Sequence, residues 1–93
     1  MLLWMSAVQP AHGQAQTITG TVTDASTGDT LPGVNVVVAG VPNLGAATGS
    51  DGTYRLTSVP ADADSLEFSF IGFETKRVAI GDRSVIDVAL SPA

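Results

Sequence analysis

From Thr17 onward, apolar and polar residues alternate almost one by one. "TITGTVTD" puts Ile18, Gly20 and Val22 on one face and four threonines on the other. "VNVVVAG" aligns Val34, Val36 and Val38, and "AAT" (Ala46 to Thr48) reads as a short strand. "TYRLTSV" turns Tyr54 and Leu56 inward, and "SLEFSFIG" does the same for Leu66, Phe68 and Phe70. "ETKRVAIG" offers Val78 and Ile80, and "VIDVAL" sets Ile86, Val88 and Leu90 against Val85, Asp87 and Ala89. This is period two, the signature of half-buried strands, and no window sustains a 3.6-residue period.

The runs are separated by turn-forming segments: "DASTGD", "LPG", "GVPNLG", "GSDG", "VPADAD", "IGF" and "GDRS". Pro32-Gly33 suits a type II turn, with proline presetting φ and glycine supplying a positive one. Short alternating strands at this spacing, about seven of them, predict an all-β antiparallel sandwich. Each sheet then has one wet face and one core face. On this reading Leu66→Ala or Phe68→Ala costs about 2–5 kcal/mol in a denaturant titration, and a loss below about 1 would mean the faces are reversed.

The N-terminus breaks the pattern. Leu2 to Val8 is a short apolar run, followed by small residues at Ala11, Gly13 and Ala15. That order predicts a secretory signal peptide over residues 1–15, cleaved after Gly13 or Ala15, although the Met1 amine is its only positive charge. The run is far too short to span a bilayer, which takes about 18 residues or more. The folded domain is expected over residues 17–91. With no cysteine, neither a disulfide nor a lipidated cysteine is available.

Charge narrows the partners. The net charge is −5, and the 4 basic residues are dispersed as Arg55, Lys76, Arg77 and Arg83. Nucleic acid and anionic membrane both call for a basic patch, so neither nucleic-acid binding nor direct membrane insertion is expected.

The segment "TGSDGTYRL" (Thr48 to Leu56) looks most like a chemical motif. A phosphate loop needs a lysine and a following helix, and an EF-hand loop needs several more oxygen ligands. Asp51-Gly52 between alternating runs is instead a hairpin signal, with Thr53 to Ser58 as the returning strand.

Catalytic groups are equally sparse. The one histidine, His12, lies in the expected signal peptide, so a serine nucleophile would have no imidazole base. Asp62 and Asp64 read as solvated loop residues, and Glu67 and Glu74 fall on different strands. Lys76 with Asn35 or Asn43 is the lone combination for a Lys–Asn isopeptide bond. Trp4, a sugar-stacking side chain, also lies in the expected signal peptide. No catalytic, cofactor-binding or metal-binding residue is therefore assigned, and the chain is read as no enzyme.

Four segments together resemble the carboxypeptidase-regulatory-like domain. They are Gly20, Val22 and Asp24 as G-x-V-x-D, Leu31 to Val36 as L-P-G-V-x-V, Thr48 to Leu56 as T-x-x-D-G-x-Y-x-L, and Leu66 to Thr75. The last, with "FSFIGFET", is similar to the version at the N-terminus of SusC-like TonB-dependent outer-membrane receptors. The resemblance implies a transthyretin-like sandwich in which the quoted residues are structural. Gly20 would permit close approach, and Tyr54, Phe68 and Phe70 would fill the core, with the Tyr54 hydroxyl reaching a partner. Ile71 and Phe73 would flank a bend at Gly72, with Phe73 buried rather than a surface contact.

Hydroxyisourate hydrolases share that fold but resemble a histidine-rich pattern that is missing here. The implied function is a non-catalytic interaction module on the periplasmic side of the outer membrane, or a secreted one. It would belong to a receptor for glycan or peptide uptake and contact a receptor plug or barrel or another envelope protein. The alternatives are a carbohydrate-binding module with a glycan as ligand, or an accessory domain of a secreted enzyme.

Overall fold

The computed structural model describes residues 15–93, so all of the expected signal peptide but Ala15, including Trp4 and His12, lies outside the described residues. Among the described residues seven strands follow one another: β1 (Ala15–Asp24), β2 (Asn35–Val38), β3 (Gly45–Ala47), β4 (Thr53–Pro60), β5 (Ser65–Ser69), β6 (Lys76–Ala79) and β7 (Val88–Leu90). They form two sheets, a three-stranded one in the order β4-β1-β7 and a four-stranded one in the order β3-β2-β5-β6. All pairings are antiparallel except that of β1 with β7, which is parallel. β1 starts at Ala15, opposite Pro60, so the first strand begins two residues before the domain start expected from the sequence.

Alternation becomes burial as the pattern requires. Ile18, Val22, Tyr54, Leu56, Ile86, Val88 and Leu90 face inward from one sheet. Val34, Val36, Val38, Leu66 and Phe68 meet them from the other. The Tyr54 and Phe68 rings cross the gap edge to face, with centroids 5.5 Å apart, a geometry favoured by the ring quadrupoles. Leu66 and Phe68 are both fully buried, as the expected cost of truncating them requires.

Three inward assignments soften at strand ends. Phe70 falls just past β5, and it lies half-buried, stacked on Phe73 at 5.7 Å. Phe73 is likewise half-buried, and Ile71 between them is 90% exposed on the Gly72 turn. Val78 is half-buried, and the fully buried residue is Ile80, beyond the end of β6.

The Asp51-Gly52 turn forms, but not as a hairpin. β3 pairs with β2 and β4 pairs with β1, so the turn carries the chain from one sheet to the other. Tertiary pairing overrides the local signal here: the Gly52 carbonyl accepts from Val22 N–H at 2.9 Å and so delivers the chain to β1. Gly52 has φ +79°, and a Cβ there would lie 2.6 Å from the Thr30 Cβ, so no other residue fits without strain.

Candidate functional site

The sites that sequence chemistry singled out are dispersed. Asp62 and Asp64 are exposed in the turn between β4 and β5. Glu67 lies on β5 opposite Arg77, with an exposed 3.4 Å ion pair that contributes little. Glu74 is exposed ahead of β6. Asn35 and Lys76 flank β5 on opposite sides, and the Lys76 ammonium reaches the Ala89 carbonyl at 3.5 Å instead of Asn35. Asn43 sits in the β2–β3 loop with φ 67°, a turn role. Among the described residues, no cluster of three or more His, Cys, Asp or Glu could hold a metal ion. Asp51 serves its own turn: its carboxylate accepts from the Thr53 hydroxyl at 2.7 Å and from Thr53 N–H at 3.1 Å. Those bonds, the hydroxyl first, hold its pKa below the ordinary carboxylate value.

The rest of "TGSDGTYRL" builds two interlocks. In the first, the Thr48 hydroxyl accepts from Val34 N–H at 2.9 Å and donates to the Leu31 carbonyl at 2.5 Å. It thus stands between the two ends of the Pro32-Gly33 turn, where the turn's own closing bond would otherwise lie. Among the described residues Thr48 is the buried polar one; the sequence places it at the end of a short strand and at the head of the T-x-x-D-G-x-Y-x-L segment, without marking it as buried.

The second interlock holds β7. In a regular parallel ladder, the Ile86 carbonyl would accept from Thr21 N–H. Instead it turns inward over Gly20, where a Cβ would lie 1.9 Å from the Ile86 oxygen. The Tyr54 hydroxyl donates to that oxygen at 2.7 Å, and the Asp87 carboxylate takes Thr21 N–H at 2.9 Å. Burial, with the nearby Asp87 charge, pushes the Tyr54 phenol up to about 12 against an opposing effect of Arg83. Gly20 and Tyr54 thus have the roles the resemblance implied, close approach and a satisfied hydroxyl.

The two long sides of the sandwich differ in how their edges are finished. On the β6–β7 side the segment ahead of β6 is tied to the one after β7: Glu74 N–H donates to Ser91 at 2.8 Å and Ala93 N–H donates to Gly72 at 2.9 Å. Lys76 covers the Ala89 carbonyl of β7, and the Arg83 guanidinium donates to the carbonyls of Ala79 and Ile80. Where β3 and β4 lie side by side, the link is the connecting turn, closed by Gly49 N–H to Thr53 at 2.8 Å. An open concavity of about 780 Å³ borders this side, lined by Ala46, Ala47, Gly49, Thr53, Arg55 and Asp87 among others.

A family model for the CarboxypepD_reg-like domain matches residues 18–93. The chain belongs to that family. TonB-dependent receptor P39 of Formosa agariphila is 42% identical over 91 residues, which is 97% of this chain and 8% of the receptor. Receptors P3 and P26 of the same organism are 36% and 40% identical over 83% and 82% of this chain. The CarboxypepD_reg-like chain thus spans less than a tenth of the length of the curated relatives it matches. A solved structure, the group B streptococcus pilus 2b backbone protein, matches 92% of this chain and 43% of its own, with TM-score 0.49 and 15% identity. That likeness is too distant to carry weight. Among the described residues of the domain, no helix is long and apolar enough to cross a membrane.

Proposed function

We propose that this CarboxypepD_reg-like domain is a non-catalytic interaction module, acting as the N-terminal periplasmic domain of a TonB-dependent, SusC-like receptor for glycan or peptide uptake, or as a free-standing counterpart. The observation that carries this reading is the match to receptor P39, which takes in 97% of this chain but 8% of the receptor. One small domain of a large receptor contributes by docking, and the exposed strand edges supply the means. Residues 1–15 act as the export signal under this proposal, and the partner is a receptor plug or barrel or another envelope protein.

The test is the size and location of the native protein, by immunoblot of fractionated cells with an antibody to residues 17–93. A large outer-membrane band supports the receptor reading. A small soluble periplasmic band supports the free-standing module. A cytosolic protein that retains Met1 by N-terminal sequencing would end both.

A further inference from the structure

A sandwich of two open sheets has four edge strands, and unprotected edges recruit other strands. Three of the four here carry recognisable protection. β6 bears Lys76 and Arg77, and Arg83 covers its last carbonyls. β7 is covered by Lys76 at Ala89. β4 bears the exposed Arg55, ends in Pro60 and is twisted by a bulge, where its register against β1 jumps between Gln16 and Ile18. Ser58 in that bulge has φ 61°.

β3 carries no charged side chain, proline or bulge, and its short length of three residues is the one device that limits pairing there. From Thr30 to Ser50 the chain carries no charged side chain. Val38 N–H donates to the Leu44 carbonyl at 3.1 Å, and Thr48 N–H donates to Val34 at 3.0 Å. Residues 44, 46 and 48 therefore face β2, and by alternation Gly45 and Ala47 turn their N–H and C=O groups away from it. Ala47, with Ala46 and Gly49, lines the concavity beside Thr53 and Arg55.

Charge selects the occupant. The net charge is −5, and three of the 4 basic side chains, Lys76, Arg77 and Arg83, sit on the β6–β7 side. The β3–β4 side keeps Arg55 alone, beside Asp51 and Asp87. Two carboxylates against one guanidinium leave the surroundings of β3 net negative, in a domain that is itself acidic, and that field favours a cation.

We infer that β3 is a strand-addition site, and that it takes an extended, positively charged peptide segment of a partner protein alongside Gly45 and Ala47. This assignment presupposes that the domain works by binding, and it names the edge and the chemistry of what binds. Backbone bonds supply affinity in this mode, and the flanking charges supply preference.

The test selects a random dodecapeptide phage library on the immobilised 93-residue chain. Enriched sequences are then synthesised and mapped by amide hydrogen exchange on the isotopically labelled chain. The expected result is enrichment of Lys- and Arg-bearing peptides that slow exchange at Gly45 and Ala47. Ala47→Pro removes an outward N–H without touching the β2 ladder, and it should weaken binding about tenfold, the worth of one or two net hydrogen bonds. Ala47→Lys, which keeps the backbone donor, should weaken it similarly by charge. Gly45 is not suited to the test, because a Cβ there would lie 2.8 Å from the Val36 carbonyl. Ala79→Lys on β6 should leave binding unchanged. No enrichment, enrichment of acidic peptides, protection at other strands, or binding indifferent to both Ala47 variants would overturn the assignment. Any of these leaves the receptor proposal to stand or fall on the native protein's size and location.

Discussion

The two sides of this sandwich are built from similar strands but finished differently. On the β6–β7 side, backbone bonds tie residues 72–74 to 91–93, and Lys76 and Arg83 occupy carbonyls that would otherwise face water. On the β3–β4 side, one short turn joins the sheets, and a three-residue strand of Gly and Ala stands at the edge. The first side sets Lys76, Arg77 and Arg83 along its edges, and the second has Arg55 on β4 and no charged residue on β3. Among the described residues no helix covers these edges, and an edge left plain is a place where another chain can be accommodated. Local stability should follow the same division, because few buried contacts and few backbone bonds make for easy local opening. β3 amides are expected to exchange faster than those of β1 and β5.

The largest expected effect comes from the interlock that holds β7 on β1. Gly20→Ala places a Cβ 1.9 Å from the Ile86 oxygen and 2.8 Å from the Tyr54 ring. Because the first obstacle is backbone, relief requires β7 to move, at a cost of about 3 kcal/mol. Urea denaturation measures it, and a loss under about 1 kcal/mol would show that the protected side does not depend on this approach. Tyr54→Phe keeps the ring but leaves the buried Ile86 carbonyl without its donor, for about 1–3 kcal/mol.

The phenol adds a pH signature. Its folded pKa is raised to about 12, above the unfolded value of about 10. Its contribution is therefore fully present below about pH 10 and lost as pH rises from there toward 12. Tyr54→Phe should remove that part of the alkaline loss. An unchanged alkaline profile would mean that the hydroxyl is not held at Ile86.

Much of this architecture is legible in the residues, and what is not has a physical reason. Strand faces follow from alternation because burial is a local, period-two property: every inward position named at Ile18, Val36, Leu56, Leu66 and Val88 is buried. Alternation does not state which strand pairs with which. Asp51-Gly52 signals a turn accurately, but its partner strands were decided by the ladder on β1, a contact remote in sequence. Phe70 and Val78 continue the pattern past or near strand ends, where the sheet no longer covers them fully. Thr48 is the position that pattern reading passes over. A hydroxyl in an apolar run is indistinguishable from a surface threonine until the Pro32-Gly33 turn is folded against it. The difference between the two edges was partly visible, since the charge-free stretch from Thr30 to Ser50 can be read directly. That it falls on an edge, and that Lys76 and Arg83 fall on the opposite one, depends on topology.

Thr48→Val tests the open side in the same way. It replaces a hydroxyl that serves both Val34 N–H and the Leu31 carbonyl by a methyl of similar size. The expected loss is about 1–3 kcal/mol. Hydrogen exchange should quicken around Val34 and Ala46 while Thr23, Leu90 and Glu74 on the protected side stay as they were. If exchange quickens equally on both sides, the two edges form one cooperative unit and the contrast between them is only one of surface chemistry.

The smallest effect on stability carries the sharpest test of protection. Lys76 and Arg83 are surface side chains whose bonds go to carbonyls near β6 and β7. Replacing both by alanine should lower stability by no more than about 0.5 kcal/mol, as for most exposed substitutions. Association should respond far more. With both cations gone, the Ala79 and Ala89 carbonyls become free acceptors on strands whose outer edges are otherwise ready to pair. Sedimentation velocity across a concentration series should then show self-association in the double variant, with the parent chain monomeric at the same concentrations. Ala47→Lys introduced on top should not reverse that association, because it acts on the other side. If it does reverse it, the association runs through β3 and the two cations are not protecting the β6–β7 side. A double variant that stays monomeric would mean that the ties between residues 72–74 and 91–93 close that side without help from charge.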